Sequence, residues 1–443
     1  MTLLELSRPV LRTPLLGGLP VVIIGAGPVG LAAAAHLLER GIDFLIYEAG
    51  GSAASSVASW AHVRLFSPWS LLIDPAARRL LSTTDWTQPD ADSLPTGAEL
   101  IEHYLAPLAA HEDIASRTHP GSTVVAVSRQ GADRTRSAAR STTPFILRIR
   151  TGPELVEVIA GAVIDASGTY SSPNGLSSNG LEPLGAEQIV DRVVHALPDV
   201  LGTGRARFAG RHTTVVGAGH SAANTLIALA QLAREEPGTR VSWVVRNSGA
   251  ARVSVSPDDE LRARASIGAR VTALVADGEI TLVDRFEIAR LRPAGSAPGA
   301  GVVIVGARRG EPFELATDNI VRATGFRPDL SMLREIRLEL DDIVEAPRRL
   351  APMIDPNQHS CGTVEPHGFA ELRHPEPNFF IAGMRSYGRA PTFLLSTGYE
   401  QVRSIVAWLA GDVAAASAVH LVLPATGVCS TADAGGAEGG CCA

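Results

Sequence analysis

The chain has little cysteine, little aromatic content and no excess of basic charge, and each shortage narrows its chemistry. Only four cysteines occur in 443 residues, and three of them, Cys429, Cys441 and Cys442, crowd the end. That is no disulfide framework, so a reducing, cytoplasmic compartment is expected. No C-x-x-C pair occurs either, which excludes a dithiol relay of that spacing. The formal net charge of −7 argues against nucleic acid as a partner, because phosphate recognition needs a clustered basic face. Apolar runs are broken by glycine, proline or charge well short of the roughly 20 residues a membrane helix requires, so no span is expected. The segment 1–18 carries Glu5 early and lacks the basic-then-apolar order of a signal peptide; it reads as an ordered or fraying arm.

Glycine is plentiful, at 43 residues, and the chain is long enough for two or three structural units. Two of the glycine clusters have a recognisable mechanical purpose. Val21 to Ile24 reads as a strand, GAGPVG as a tight turn, the Ala/Leu-rich stretch to Arg40 as a helix, and Ile42 to Tyr47 as the next strand. Pro28 suits an early helical position, where its missing N–H costs nothing. In the fingerprint Gly25, Gly27, Gly30, the first glycine allows the turn and the second lets backbone approach a pyrophosphate. The third lets helix and strand pack closely, and the helix N-terminus offers N–H groups to the phosphates. Glu48, eighteen residues past Gly30, ends the following strand, where a carboxylate accepts hydrogen bonds from ribose hydroxyls.

The second unit repeats the plan with one change of charge. TTVVG is the strand, Gly217, Gly219 and Ala222 form the fingerprint, a helix runs from Ala222 to Arg234, and Arg240 to Val245 is the next strand. Arg246 stands where the first unit has Glu48. An acid selects a free 2′-hydroxyl, whereas a guanidinium favours a 2′-phosphate through paired, charge-assisted bonds. The first site therefore reads as FAD-binding and the second as NADPH-binding. Ser221 either donates to the pyrophosphate or caps the helix; His220 reads as a helix-start residue.

The remaining segments are less regular. Gly97 to Ala110 reads as helical, and Thr123–Arg129, Phe145–Arg150 and Val156–Ile164 alternate like strands. The polar, arginine-bearing segment between the first two of these strands reads as a solvated hairpin tip. Two turns, DASG with Gly168 and ATG with Gly325, follow apolar strands, and their small residues let backbone pass beside a cofactor. A last helix runs through Trp408 to Gly411.

Two dinucleotide fingerprints with DASG and ATG turns behind them resemble the two-dinucleotide flavoproteins, and within these the flavin-containing monooxygenase-like branch. The resemblance covers residues 20 to about 411. It implies an α/β fold of two Rossmann-like three-layer dinucleotide-binding domains, with the NADPH domain inserted in the FAD domain. The boundaries expected are 1–205 and 318–423 for FAD, 206–317 for NADPH, and 424–443 for a flexible cysteine-bearing tail. The strings SWAHVRLFSPW, DPNQHSCGTVEPHG and GMRSYGRAPTFLLSTGYEQVRS are similar to flavoprotein monooxygenases met beside arsenic-resistance genes in actinobacteria. Departures are also present. The F-x-G-x-x-x-H-x-x-x-(W/Y) motif of many flavin monooxygenases is matched only at His195, with Ile189, Asp191 and Asp199 in place of its Phe, Gly and aromatic. Gly383-Met384 stands where thioredoxin-reductase-like relatives hold the flavin ribityl chain with Gly-Asp. Arg389 to Thr392 reads as loop then helix start, with Pro391 preset for the first turn; by the same resemblance this N-terminus should point at the flavin N1–C2=O edge, with Tyr387 and Arg389 in the same pocket. Tyr387 and Arg389 are the catalytic candidates.

Cys429, Cys441 and Cys442 lie on a Gly-rich arm. Adjacent thiols there are poor disulfide partners but can jointly hold a soft metal or metalloid, as the C-terminal Cys-Cys of mercuric reductases suggests. Cys361 either approaches the active site or fills core. Three functions follow. The first is an FAD- and NADPH-dependent monooxygenase that adds O2 at flavin C4a and passes oxygen to a nucleophilic small molecule, such as an arsenical. The second is a reductase of a soft metal or metalloid presented by the tail, and the third a metalloid-binding flavoprotein without turnover.

Overall fold

The computed structural model describes residues 16–247, 261–297, 300–356, 366–391 and 393–421. These divide into two units: the chain leaves the first after Ser172, and returns to it at Arg327.

The first unit contains β1 (Val21–Ile24), β2 (Phe44–Tyr47), β3 (Thr118–His119), β4 (Ser122–Arg129), β5 (Phe145–Thr151), β6 (Glu154–Ala160), β7 (Ala162–Asp165) and, far along the chain, β16 (Phe379–Ile381). β16, β7, β1, β2 and β3 form, in that order, a parallel sheet, while β4, β5 and β6 form an antiparallel one. Side-chain alternation explains the layering. Val21 and Ile23 point into a core shared with the helices Pro28–Glu39 and Leu395–Leu409. Val22 and Ile24 point the other way, against Val124, Phe145 and Ile149 of the antiparallel sheet. Both faces of the parallel strands are therefore covered, which is why they read as unbroken apolar runs.

Two expectations are corrected here. Val156–Ile164 is not one strand but two, because Gly161 breaks it: a Cβ at that position would stand 2.6 Å from the Leu16 carbonyl oxygen. The arginine-bearing segment 130–144 is not simply a solvated tip. Arg140 within it is buried and donates to buried Glu376, from Nη2 and Nε to Oε2 at 2.8 and 3.0 Å and from Nε to Oε1 at 3.2 Å. Arg129 donates to the same carboxylate at 2.8 Å while its guanidinium lies 3.6 Å from the Phe145 ring centroid. Burial works against the Glu376 charge, yet hydrogen bonds from Arg140 and Arg129 hold its carboxyl below the ordinary range. The partner is 236 residues away, so no local pattern announces it.

The helical reading of Gly97–Ala110 gains a detail. A π turn, Ile101–Leu105, interrupts it just before Pro107. Proline has no N–H for the carbonyl four residues back, and that carbonyl, of His103, accepts from the Trp86 indole at 2.7 Å.

The second unit contains β8 (Val193–Val194), β9 (His212–Val216), β10 (Arg240–Val244), β11 (Thr281–Val283), β12 (Phe286–Pro293), β13 (Val302–Arg308), β14 (Glu311–Thr317) and β15 (Asn319–Arg322). β11, β10, β9, β15 and β8 form a parallel sheet, and β12 to β14 an antiparallel one. Again Val215 faces the helices His220–Glu235 and Arg262–Ala276, and Val216 faces the antiparallel sheet. The expected boundaries at 206 and 317 move outward. β15 pairs with β9, and residues 173–205 supply β8 and the buried Leu176 and Ile189. At the crossing, Asn174 N–H donates to the Gly325 carbonyl at 2.9 Å and Thr324 Oγ1 to the Asn174 carbonyl at 2.8 Å, which joins entry and exit.

Candidate functional site: two nucleotide cradles

In the first unit, Gly25 has φ +97°, and a Cβ there would stand 2.9 Å from the Ala166 carbonyl oxygen and from the Ser167 Cα. The DASG turn and the fingerprint are thus pressed together, which explains the small residues in both. A Cβ on Gly30 would lie 2.0 Å from the Gly25 carbonyl oxygen, so the third glycine is fixed by helix-to-turn packing. Gly27 has no neighbour within 4 Å of its hypothetical Cβ. It precedes Pro28 as the cap residue of a 12-residue helix that has no side-chain cap and no acid in its first turn. Open space before an uncapped helix N-terminus is what a pyrophosphate requires.

Glu48 accepts the backbone N–H of Ala26 and of Gly50, each at 2.7 Å. A carboxylate has about four lone-pair positions, so two remain for ribose hydroxyls. Glu48 therefore also fixes the fingerprint loop, a task its position in the sequence did not disclose.

The C-terminal segment converges on the same point. Gly383, with φ +70°, and Gly398, inside the last helix, both lie against Val29; their hypothetical Cβ atoms come within 3.1 and 2.7 Å of Val29 Cγ2. The Gly383 N–H donates to Gln401 Oε1 at 2.7 Å. Gln401, fully buried, also contacts Ser386 Oγ and His367 Nε2, each at 2.9 Å. Arg385 is the residue sequence reasoning missed. Its Nε lies 2.7 Å from Asp165 Oδ2, both side chains being almost wholly buried. That contact is an ion pair without hydrogen-bond geometry; the hydrogen bonds of Arg385 go to the Gly168 carbonyl at 3.2 Å and to the Asp329 carbonyl. One guanidinium thus ties the DASG turn to the strand-end after β16, across 220 residues that leave no sequence signal.

Tyr387 is fully buried, edge-on to Phe393 at 5.2 Å, and burial pushes its phenol above the ordinary value. Arg389 is exposed and pairs with Glu345 at 2.9 Å. The structure thus supplies each of the two catalytic candidates with a packing or pairing partner of its own. The last helix begins at Leu395, not near Pro391. The chain before it is held off the helical path by Gly388, whose hypothetical Cβ would lie 2.0 Å from the Val344 carbonyl oxygen, and by an Arg389 N–H bond to that carbonyl at 2.7 Å. Thr392 lies outside the described residues, as do all four cysteines.

In the second unit, a Cβ on Gly217 would stand 2.0 Å from the Ala323 carbonyl oxygen, so the ATG turn abuts this fingerprint as DASG abuts the first. Gly219 faces open space and caps a 16-residue helix with no side-chain cap and no first-turn acid. Ser221 lies inside that helix, so the capping alternative is removed. Ala222 is fully buried at the third position, and Gly325 has φ +85°. Arg246 is exposed; among the described residues its side chain makes only a long 3.5 Å contact, to the Ser178 carbonyl. The residues of both cradles fit dinucleotides.

The family model described as pyridine nucleotide-disulphide oxidoreductase matches residues 22–361. The chain belongs to that family. Membership bears out the fold class, makes the protein a flavoprotein oxidoreductase and supports FAD and NADPH as its cofactors. No curated protein matches it in sequence. Among solved structures, a bacillithiol disulfide reductase from Bacillus cereus is 19% identical with a TM-score of 0.65, covering 89% of this chain and 99% of its own. A cadaverine monooxygenase of desferrioxamine biosynthesis from Erwinia amylovora, bound to FAD, is 13% identical at 0.62, covering 89% and 94%. A doubly substituted flavin monooxygenase from Stenotrophomonas maltophilia is 22% identical at 0.52, covering 89% and 98%. At these identities the likeness is one of fold, and the solved structures that share it include both a reductase and monooxygenases. Among the described residues no helix is long and apolar enough to cross a membrane, and no cluster of three metal-ligating side chains occurs.

Proposed function

We propose that this family member is an FAD- and NADPH-dependent monooxygenase of a soft, nucleophilic small molecule, with trivalent arsenicals as the substrate class and metalloid detoxification as the role. The observation that carries the reading is a complete flavin cradle in a sequence without any C-x-x-C pair. A reductase of the C-x-x-C relay type needs that pair beside the flavin, whereas an oxygenase needs only a shaped, water-poor pocket. Bound FAD would accept hydride from NADPH and supply the electrons that activate O2. Gly25, Gly27 and Gly30 would seat its pyrophosphate, Glu48 its ribose, and the Asp165–Arg385 pair would hold the turns that border it. Arg246 would read the NADPH 2′-phosphate. Overall, NADPH, a proton, O2 and a trivalent arsenical would give NADP, water and the pentavalent oxide, arsenic losing the two electrons that its new oxygen bond withdraws.

A second reading, reduction of a soft metal or metalloid, is favoured by Cys429, Cys441 and Cys442. Anaerobic mixing with NADPH should bleach the flavin under both readings; no bleaching would leave only a binding role. In air with methylarsenite, the first reading expects NADPH consumed one-for-one with pentavalent product. Stoichiometric hydrogen peroxide without product would overturn it. Truncation at Pro424 should abolish As(III) binding if the tail presents the metalloid; unchanged affinity removes the tail from the mechanism.

A further inference from the structure

The second unit gathers arginine at one edge. β10 and β11 run parallel, so their carboxyl ends lie together, where open α/β sheets bind ligands. Arg246 stands two residues beyond β10 and Arg285 two beyond β11. Backbone bonds lace these extensions together. Val245 N–H donates to the Val283 carbonyl at 3.1 Å, Arg285 N–H to the Asn247 carbonyl at 3.1 Å, and Phe286 N–H to the Val245 carbonyl at 3.2 Å. The turn between β13 and β14 closes on the same place, with Arg309 N–H donating to the Arg285 carbonyl at 2.9 Å.

Four arginines, at 246, 285, 308 and 309, thus share this edge with buried Asp284. That acid is already engaged: Arg308 Nη2 donates to it at 2.9 Å, and Arg309 Nη2 reaches both its oxygens at 2.9 and 3.0 Å. Arg246 and Arg285 are exposed, and among the described residues neither forms an ion pair. The conformation is unusual too. Arg285 has φ +49° and Arg309 +54°, the left-handed region that costs a residue with a Cβ about 1 kcal/mol. Such strain persists where the surroundings over-determine it, and it gathers at ligand sites.

We infer that Arg285 is a second specificity-determining cation for the NADPH 2′-phosphate, acting beside Arg246. Asp284 is a positioning residue: it holds Arg309, whose N–H holds the Arg285 carbonyl. The inference rests on the NADPH reading of Arg246 and deepens it. A 2′-phosphate carries close to two negative charges at neutral pH, more than one guanidinium neutralises.

Calorimetric titration of full-length, flavin-containing protein with 2′,5′-ADP and with 5′-AMP tests this. Arg285→Ala should weaken 2′,5′-ADP by about 10- to 100-fold, the value of a charge-assisted bond, and leave 5′-AMP within about twofold. Arg285→Gly separates binding from folding: it should raise the thermal midpoint by relieving the backbone while still losing 2′,5′-ADP affinity. If both variants keep wild-type 2′,5′-ADP affinity while Arg246→Ala loses it, the role of Arg285 is overturned and the NADPH reading stands. If wild-type protein binds 2′,5′-ADP no better than 5′-AMP, the NADPH reading itself falls.

Discussion

The two cradles solve the same geometric problem with different chemistry. In the first, the turn facing the fingerprint is clamped by charge, through the buried Asp165–Arg385 pair. In the second, the corresponding turn is held by neutral groups, Asn174 and Thr324. The third fingerprint position differs as well: a Cβ is impossible at Gly30, yet Ala222 carries one and is fully buried. The strand-end residues differ most, Glu48 being bonded into its own loop and Arg246 left facing solvent. A tightly held cofactor calls for a rigid, pre-bonded cradle, whereas a dinucleotide that must leave after each turnover calls for exposed, unspent cations. The difference teaches that one motif can be tuned for retention or for exchange by what its backbone amides and terminal side chain already bond to.

The sharpest way to break this comparison is Gly30→Ala. With the new Cβ 2.0 Å from the Gly25 carbonyl oxygen, the purified protein should lose its flavin absorbance entirely; a variant that retains FAD would show that the first cradle is as tolerant as the second. Next is Arg385→Met, which strands a buried carboxylate. It should cost about 3–5 kcal/mol in denaturant unfolding and release flavin. The neutral counterpart, Asn174→Ala, should cost only about 1–2 kcal/mol, and equal losses would erase the distinction between clamps.

Acid should act on the first unit through His374. Burial depresses its pKa from 6.5 to about 4, while its Nδ1 accepts the Glu339 N–H. Below pH 6.5 the unfolded chain binds a proton that the folded one refuses. The stabilisation is therefore complete above that pH and is lost as pH falls toward 4, by about 3 kcal/mol in all. Unfolding free energies of His374→Gln measured between pH 7 and 4 should fall less steeply than those of wild type. The smallest effect expected is Ala222→Gly, about 1 kcal/mol from helix propensity, with NADPH affinity unchanged. A large affinity loss there would mean that the alanine methyl is part of the nucleotide seat.

Much of this was legible in the sequence because it is local. Strand, glycine turn, helix and terminal acid or arginine are successive in the chain, and their spacing is set by the geometry of one βαβ unit. The two units, their fingerprints and their opposite strand-end charges could therefore be read from residues 21–48 and 213–246 alone. Whatever joins distant segments could not. Arg385 meets Asp165, Arg140 meets Glu376, Val29 is enclosed by Gly383 and Gly398, and Arg285 lies alongside Asn247, none of them within one periodic element. The unit boundaries belong to this second class, since β8 and β15 are short and joined to the second sheet only by pairing across more than a hundred residues. The sequence by itself determined which nucleotide folds the chain builds and the charge each one shows its ligand. Only the tertiary structure decided which side chains are already bonded and which remain free to bind, because burial and long-range hydrogen bonding are properties of the packed chain.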